Sequence, residues 1–188
     1  PFVLEVFCKQ AGLVTACMNL DTTSCGVGLN SSSLLSSPCI GIDLLLPWTQ
    51  SFISDLIGCE ASETIVWFSA PCGSFSRARE RQRGLPHLRS TRFTRGCPDA
   101  FLDPPTAKRL RHDNALAAFM FQLIELCDKQ NIRWYASSAG SSYLWDLPEW
   151  RTTSFHEFSF AGCAYGSGRP NLHRVRGSDD ALLSLAAP

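Results

Sequence analysis

The stretch IVWFSAPCGSFSRARERQR, residues 65–83, decides how we interpret this chain. Its first four residues, with Thr64 before them, are β-branched or aromatic, which is typical of a buried β-strand. The strand pattern stops at Ser69, and Pro71 and Cys72 follow. Arginine then occupies every second position from residue 77 to residue 83. The stretch therefore predicts a strand whose end carries a cysteine, followed by a basic loop.

Further strand patterns alternate with helix patterns along the chain. Residues 2–7 (FVLEVF), 39–43 (CIGID) and 132–137 (IRWYAS) are typical of buried strands because they are mostly apolar. The strongest helix pattern covers residues 103–131, where Asp103 and two prolines form a start signal. Its apolar face is marked by Leu110, Ala117, Phe121 and Ile124, and weaker helix patterns cover residues 11–20 and 48–59.

This alternation indicates parallel βαβ units and hence an α/β fold. We expect a three-layer Rossmann-like core over residues 1–170, with a mostly parallel sheet and a long arginine-rich loop at residues 70–103. Residues 22–37 are predicted to be loop, residues 155–160 a strand, and residues 171–188 a C-terminal tail. Ligands bind such sheets at the carboxyl ends of the strands, so the loops after Phe7, Asp43, Ser69 and Tyr135 should share one edge.

Composition narrows the class of protein. The chain has 188 residues, of which 45% are apolar and 18% charged, and this is typical of one globular domain. We find no signal-peptide pattern and no apolar run long enough to span a membrane. The nine cysteines form no Cys-x-x-Cys pair, so we expect no metal site. Reduced thiols in an intracellular protein, nuclear or cytoplasmic, are the expected state.

The charge is unevenly distributed, although the net charge is zero. Seven arginines lie between Arg77 and Arg95, and Glu80 is the only acid among them. Such a local excess of positive charge favours an anionic partner, and arginine suits bidentate contacts with phosphate. The alternative is an ordinary solvated loop that contacts no partner.

Several segments resemble, in order, the motifs of cytosine-5 DNA methyltransferases and of their short, divergent relatives. VLEVFCKQAGL (residues 3–13) resembles the strand and glycine-rich turn that bind S-adenosylmethionine, and GID (residues 41–43) resembles the segment whose acid binds the cofactor ribose. APCGSFSRAR (residues 70–79) resembles the Pro-Cys motif of the nucleophile. IRWYASSAGSSYLWDLPEW (residues 132–150) resembles the strand and turn that contribute the catalytic acid, and CAYGSGRP (residues 163–170) is a looser match.

The resemblance implies a chemistry and a set of residues. In the family, a cysteine thiolate attacks carbon 6 of a flipped-out cytosine, and carbon 5 then accepts a methyl group from S-adenosylmethionine. The implied partner is nucleic acid, with DNA favoured over RNA. The implied residues are Cys72 as nucleophile and Ser137 at the position of the catalytic acid, Phe7, Gly12, Leu13, Asp43 and Pro71 beside the cofactor, and Ser76, Arg77, Arg79, Arg81 and Arg83 beside the nucleic acid.

The chain also departs from the family pattern. Ser137, Ser138 and Ala139 stand where Glu-Asn-Pro is expected, so the catalytic acid is missing. Lys9 stands where the first glycine of the turn belongs, and its side chain would fill cofactor space. The sequence also has no room for the family's target-recognition domain.

Three hypotheses on function therefore stay open. The chain is a methyltransferase, or a catalytically inactive nucleic-acid-binding domain such as a remnant of a mobile element, or a structural α/β domain without a ligand. Individual residues have alternatives too. Asp43 could cap the turn that follows it, and Glu5, an acid within an apolar strand, is interpreted as a residue that needs a partner.

Overall fold

The structure is a computed structural model that describes residues 2–7, 13, 16–17, 20, 23–28, 39–59, 64–71, 73–78, 87–101, 103–165 and 171–183. A seven-stranded sheet runs through it in the order β3-β2-β1-β4-β5-β7-β6. The strands β1 to β5 are parallel, and β7 is antiparallel to both β5 and β6. Their bounds are β1 Phe2–Val6, β2 Ser24–Gly28, β3 Cys39–Gly41, β4 Thr64–Ser69, β5 Arg133–Ala139, β6 His156–Ala161 and β7 Leu172–Gly177.

Two α-helices cover one face of this sheet, α1 (Pro47–Cys59) and α2 (Pro104–Gln130). The start of α2 is the predicted one, because the side chain of Asp103 accepts a hydrogen bond from the backbone N–H of Thr106. Its end is set by Asn131, which adopts the left-handed conformation with φ of 55°. Among the described residues, no helix is both long enough and apolar enough to cross a membrane.

The main core lies between the sheet and these helices. Val66 and Phe68 of β4 and Trp134 of β5 have no exposed surface and pack in one cluster with Ile53 and Leu123 of the helices. Alternate residues of the same strands, among them Trp67 and Tyr135, point to the opposite face, where they form a smaller cluster with β6 and β7. The α/β Rossmann-like architecture expected from the sequence is confirmed.

Two strands differ from the sequence-based expectation. Residues 24–28, predicted to be loop, form β2, and residues 172–177, predicted to belong to a tail, form β7 inside the sheet. Each strand offers few large apolar residues, and Val175 is the one large buried apolar residue of β7. The neighbouring strand compensates the positive charge of β7, since Arg176 Nε lies 2.7 Å from Glu157 Oε2 of β6. Only the tertiary pairing stabilises these segments as strands.

The remaining described segments are short. Four 3-10 helices occur at Pro98–Phe101, Tyr143–Asp146, Pro148–Arg151 and Gly162–Tyr165. The first lies in the predicted long loop, whose other described residues form neither α-helix nor strand. The second and third correspond to the turn and short helix predicted after β5.

The order of the strands defines where a ligand site is expected. From β1 the chain proceeds outward to β2 and β3, and it then returns to β4 on the other side of β1. This reversal creates a topological switch point between the carboxyl ends of β1 and β4, the usual place for a ligand in an open α/β sheet. Phe7 follows β1 there, and Ala70 and Pro71 follow β4.

Candidate functional site

The carboxyl ends of β4 and β5 are tied together directly. Ser69 and Ser137 are register partners, and the backbone N–H of Ala70 donates a hydrogen bond of 3.1 Å to the carbonyl oxygen of Ser137. The structure therefore brings the segment before Cys72 next to the position where the family places its catalytic acid. Cys72 itself lies outside the described residues, as do Gly12, Arg79, Arg81 and Arg83.

A second tie joins the two turns that follow these strands. Phe75, two residues beyond Gly73, is fully buried, and its carbonyl oxygen accepts hydrogen bonds from the backbone N–H of Tyr143 at 2.9 Å and from Ser142 Oγ at 3.4 Å. Packing and hydrogen bonding thus hold the turn after β4 on the turn after β5. The segment Leu-Trp-Asp-Leu-Pro, residues 144–148, contributes buried side chains to the same core cluster as Phe75.

Arg77 takes part in this tie instead of projecting as an isolated cation. Its guanidinium forms a 2.6 Å ion pair with Asp146 and lies 4.2 Å from the centre of the Tyr143 ring. Both charged side chains are about one-third exposed. Contact between Arg77 and nucleic acid stays a prediction, but it would have to compete with Asp146. Ser76, the neighbouring predicted contact, accepts a 3.3 Å hydrogen bond at Oγ from the backbone N–H of Ala78.

Ser137 carries a hydroxyl that is already engaged. Its Oγ accepts a hydrogen bond of 3.2 Å from the indole N–H of Trp67 on the neighbouring strand. A serine hydroxyl cannot replace a carboxylic acid as a proton donor at neutral pH, because it is far less acidic. The register places Ser137 level with Ser69 at the carboxyl end of β5, and the side chain there is a hydroxyl and not an acid.

A carboxyl group does lie on the same face of the sheet. Glu5 of β1 is 4% exposed, and its Oε1 accepts a 2.6 Å hydrogen bond from the hydroxyl of Ser69. Burial and the nearby Glu5 carboxylate together raise the pKa of Cys17. Glu5 is thus a partnered buried acid, as a mid-strand carboxylate should be, and Ser69 connects it to the edge near Ser137.

Three of the predicted cofactor residues follow strands whose carboxyl ends meet at this edge: Phe7 after β1, Asp43 after β3 and Pro71 after β4. Phe7 follows β1 with a φ of 66°, a conformation that is uncommon for residues other than glycine, and its ring packs against Phe68 and Phe119. Asp43 is exposed, and its Oδ1 accepts a 2.9 Å hydrogen bond from the backbone N–H of Leu45, so it caps the turn as the alternative hypothesis expected. Leu13 and Pro71 are half-buried.

Sequence reasoning missed a buried polar network behind the Pro-Cys turn. Arg89, counted above with the basic stretch, is only 1% exposed, and burial lowers its pKa to about 10 although nearby Asp113 opposes that shift. Arg95 pairs with Glu149 and likewise does not act as an isolated charge. The signal that was available is Asp113, since an acid three residues after Leu110 falls on the apolar face of a helix and requires a partner.

Comparison with solved structures relates this architecture to a known class of fold. The chain is similar to the crystal structure of the S. pombe Dnmt2 methyltransferase, with a TM-score of 0.53 and 10% sequence identity. The chain shares the α/β Rossmann-like fold of that methyltransferase. The match covers 100% of this chain and 56% of the Dnmt2 chain, so it spans little more than half of that protein. No protein-family model and no curated protein matches the sequence.

Proposed function

We propose that this chain is an S-adenosylmethionine-dependent cytosine-5 methyltransferase-like protein that acts on DNA, with Cys72 as its nucleophile. The observation that supports this most strongly is the hydrogen bond from Ala70 to Ser137. It joins the segment before Cys72 to Ser137, which the resemblance assigns to the acid position, at the carboxyl edge of the sheet. The methyltransferase fold supports the same assignment.

The residues of the chain have distinct tasks in this proposal. The thiolate of Cys72 would add to carbon 6 of a cytosine, which makes carbon 5 nucleophilic. The target base must leave the stack, because a stacked base hides this face from the enzyme. An ordinary thiol has a pKa of about 8.5, so part of it is ionised near neutral pH and it is the best nucleophile among the common side chains.

The described residues at the edge of β1 and β3 fit the proposed cofactor. S-adenosylmethionine supplies an electrophilic methyl group on a sulfonium. Asp43 offers an exposed carboxylate, and Oδ1 alone is used in the turn cap, which leaves a second oxygen to accept from a ribose hydroxyl. Phe7, whose backbone is left-handed, lies at the end of β1 beside the switch point.

A second candidate function is nucleic-acid binding without catalysis. Ser137 favours it, because its hydroxyl is engaged by Trp67 and cannot act as the family's acid does. Loss of a general acid lowers a rate by about 10²–10⁴-fold. On this alternative, the fold is kept for binding, and association with DNA would weaken steeply as the salt concentration rises.

Trapping on a modified substrate separates the two functions. A duplex that contains 5-fluorocytosine blocks the last step of the reaction, so an active enzyme stays covalently attached to it. With S-adenosylmethionine present we expect an adduct that Cys72→Ala abolishes, while Cys163→Ala, a change at an exposed thiol, retains it. Salt-sensitive DNA binding without an adduct would reject the enzyme and support the binding protein. Absence of both would leave a structural domain.

A further inference from the structure

We propose that Asp113 and Arg89 are positioning residues that hold the turn carrying Cys72, and this inference rests on the proposed role of that cysteine. Asp113 contacts Gly73 and Ser74, the two residues that directly follow Cys72 in the chain, and Arg89 bonds to Ser74. Adjacent Cα atoms are about 3.8 Å apart, so contacts that anchor Gly73 restrict the space open to the residue before it. We call Asp113, Arg89 and Ser74 together the turn latch.

Asp113 acts on the backbone of the turn. This residue of α2 is 7% exposed, and its Oδ2 accepts a 2.6 Å hydrogen bond from the backbone N–H of Ser74. The carboxyl group also lies directly against Gly73, since a Cβ atom added at residue 73 would stand 2.9 Å from Asp113 Cγ. Glycine at position 73 is therefore what allows α2 to bring its carboxylate this close to the turn.

Arg89 acts on the side chain of the same serine. Its Nη2 and Nε donate to Ser74 Oγ at 2.6 and 3.2 Å, and its Nη1 donates to Asn114 Oδ1 at 2.8 Å and to the carbonyl oxygen of Thr94. The guanidinium lies 3.7 Å from the centre of the Phe75 ring. One buried cation thus connects the turn after β4, the long loop and α2.

The energetics of burial make the latch rigid. A buried arginine is stable only while its hydrogen bonds and a compensating charge are present, and Asp113 supplies the charge. Loss of either partner leaves the other buried and uncompensated, so the arrangement tolerates little displacement. A nucleophile must be placed accurately, because a misplacement of about 1 Å can cost on the order of 10²-fold in rate. The latch meets that requirement for the residue before Gly73.

The first test measures the reactivity of the Cys72 thiol directly, without cofactor or DNA. Cleavage after Glu63 and Glu80 gives the peptide TIVWFSAPCGSFSRARE, which contains only Cys72, and the peptide that begins at residue 158 reports Cys163 as an internal standard. We expect Asp113→Ala to shift the iodoacetamide rate of Cys72 toward that of the exposed Cys163. Asp113→Asn, which keeps an oxygen acceptor for the Ser74 N–H, should restore much of the original ratio.

A second variant perturbs the turn but leaves the latch residues intact. Gly73→Ala places a methyl group against the Asp113 carboxyl group and should change the Cys72 ratio in the same direction. In the double variant with Asp113→Ala the obstruction is gone, so the two effects should be clearly less than additive. If both single variants melt cooperatively and keep the wild-type ratio of the Cys72 to the Cys163 alkylation rate, the proposal is wrong.

A third measurement shows that the role is positional. If the wild-type protein forms the 5-fluorocytosine adduct, Asp113→Ala should form it about tenfold more slowly, while its affinity for S-adenosylmethionine stays unchanged. Equal losses of affinity and adduct rate would mean a general structural defect and would contradict the latch. If the wild-type protein forms no adduct, the proposed function fails, and the alkylation ratios still decide whether the latch holds the turn.

Discussion

The backbone N–H of Ala70 and the carbonyl oxygen of Ser137 are joined by a hydrogen bond of 3.1 Å at the carboxyl edge of β4 and β5. This contact places the residues before Cys72 beside the position that the family reserves for a carboxylic acid. The side chain at this position is a hydroxyl bound by Trp67. On the proposed function, these two segments meet as the resemblance implies, and the side chain at position 137 departs from the family pattern.

Restoring an acid at this position should increase activity. Ser137→Glu would put a carboxyl group where the resemblance implies the catalytic acid, on the same face of the sheet as Glu5. We expect the rate of methyl transfer to rise by about 10²-fold or more. Single-turnover transfer of labelled methyl groups to DNA measures it.

Ser138→Glu is the matched control, because the adjacent residue points to the opposite face. Ser138 is 8% exposed, and within the described part of the chain its Oγ has no hydrogen-bond partner. A charge there should lower the stability of the protein and leave the rate unimproved. An equal gain from both substitutions would show that position 137 has no special role.

The ion pair between Arg77 and Asp146 should limit binding of DNA. Asp146→Asn releases the guanidinium, so we expect tighter binding and a slope of log affinity against log salt that is steeper by about one unit. Arg77→Gln should weaken binding and make the slope shallower. Fluorescence anisotropy over a salt series measures both, with Arg133→Gln at the opposite edge of the sheet as control. An unchanged slope in Asp146→Asn would exclude Arg77 from the binding surface.

Gly177 should tolerate no side chain. It is the register partner of Tyr135, and a Cβ atom there would lie 2.7 Å from Tyr135 Cε1. Gly177→Ala should lower the free energy of unfolding by about 1–3 kcal/mol through overpacking. Gly58→Ala in α1 meets only the side chain of Gln130 at 3.6 Å and should stabilise by about 0.5–1 kcal/mol. Unfolding in urea measures both variants. Similar changes in the free energy of unfolding for Gly177→Ala and Gly58→Ala would contradict this packing.

Alkaline pH should destabilise the fold through Cys127. Burial, with a smaller contribution from Asp128, raises the pKa of this thiol to about 12, well above that of an exposed thiol. The folded protein therefore holds a proton that the unfolded chain releases. The protonated thiol therefore stabilises the folded state fully below pH 9, and this contribution is lost as the pH rises toward 12. By about pH 10.5 the loss should reach about 2 kcal/mol.

Substitution isolates this contribution from other groups. Tyr135 adds to the alkaline loss, because burial and its hydrogen bond to Asp179 raise its pKa as well. Cys127→Ala should thus flatten the fall in unfolding free energy between pH 9 and 10.5 relative to wild type, even though the cavity lowers stability overall. Cys59→Ala, at an exposed thiol, should keep the wild-type dependence. The same slope in Cys127→Ala and wild type would exclude the thiol as its source.

Elements with strong local signals were predictable from the sequence. The helix that starts at Asp103 and the strand of residues 64–69 follow from capping chemistry and residue type, and both were confirmed. β7 was not predictable, because Arg174 and Arg176 become acceptable in a strand only through Glu157 on β6. Local propensity carries no information on such pairing.

The candidate site divides in the same way. Resemblance suggested Ser137 and the segment around Pro71, and their proximity follows from parallel strands that share an edge. The turn latch could not be predicted, because Arg89 resembles every other arginine of the basic stretch until α2 is folded against it. Asp113 on an apolar helix face was the one local indication, and it identifies no partner.

Calorimetric titration with S-adenosylmethionine tests the central claim most directly, since every catalytic proposal depends on a cofactor at the carboxyl edge of β1 and β3. We predict saturable binding with one site per chain that Asp43→Ala weakens, while Asp55→Ala, a change at an exposed acid within α1, leaves it unchanged. Absence of heat and of binding at millimolar cofactor, with a folded protein, would contradict the account and leave a methyltransferase fold without its cofactor.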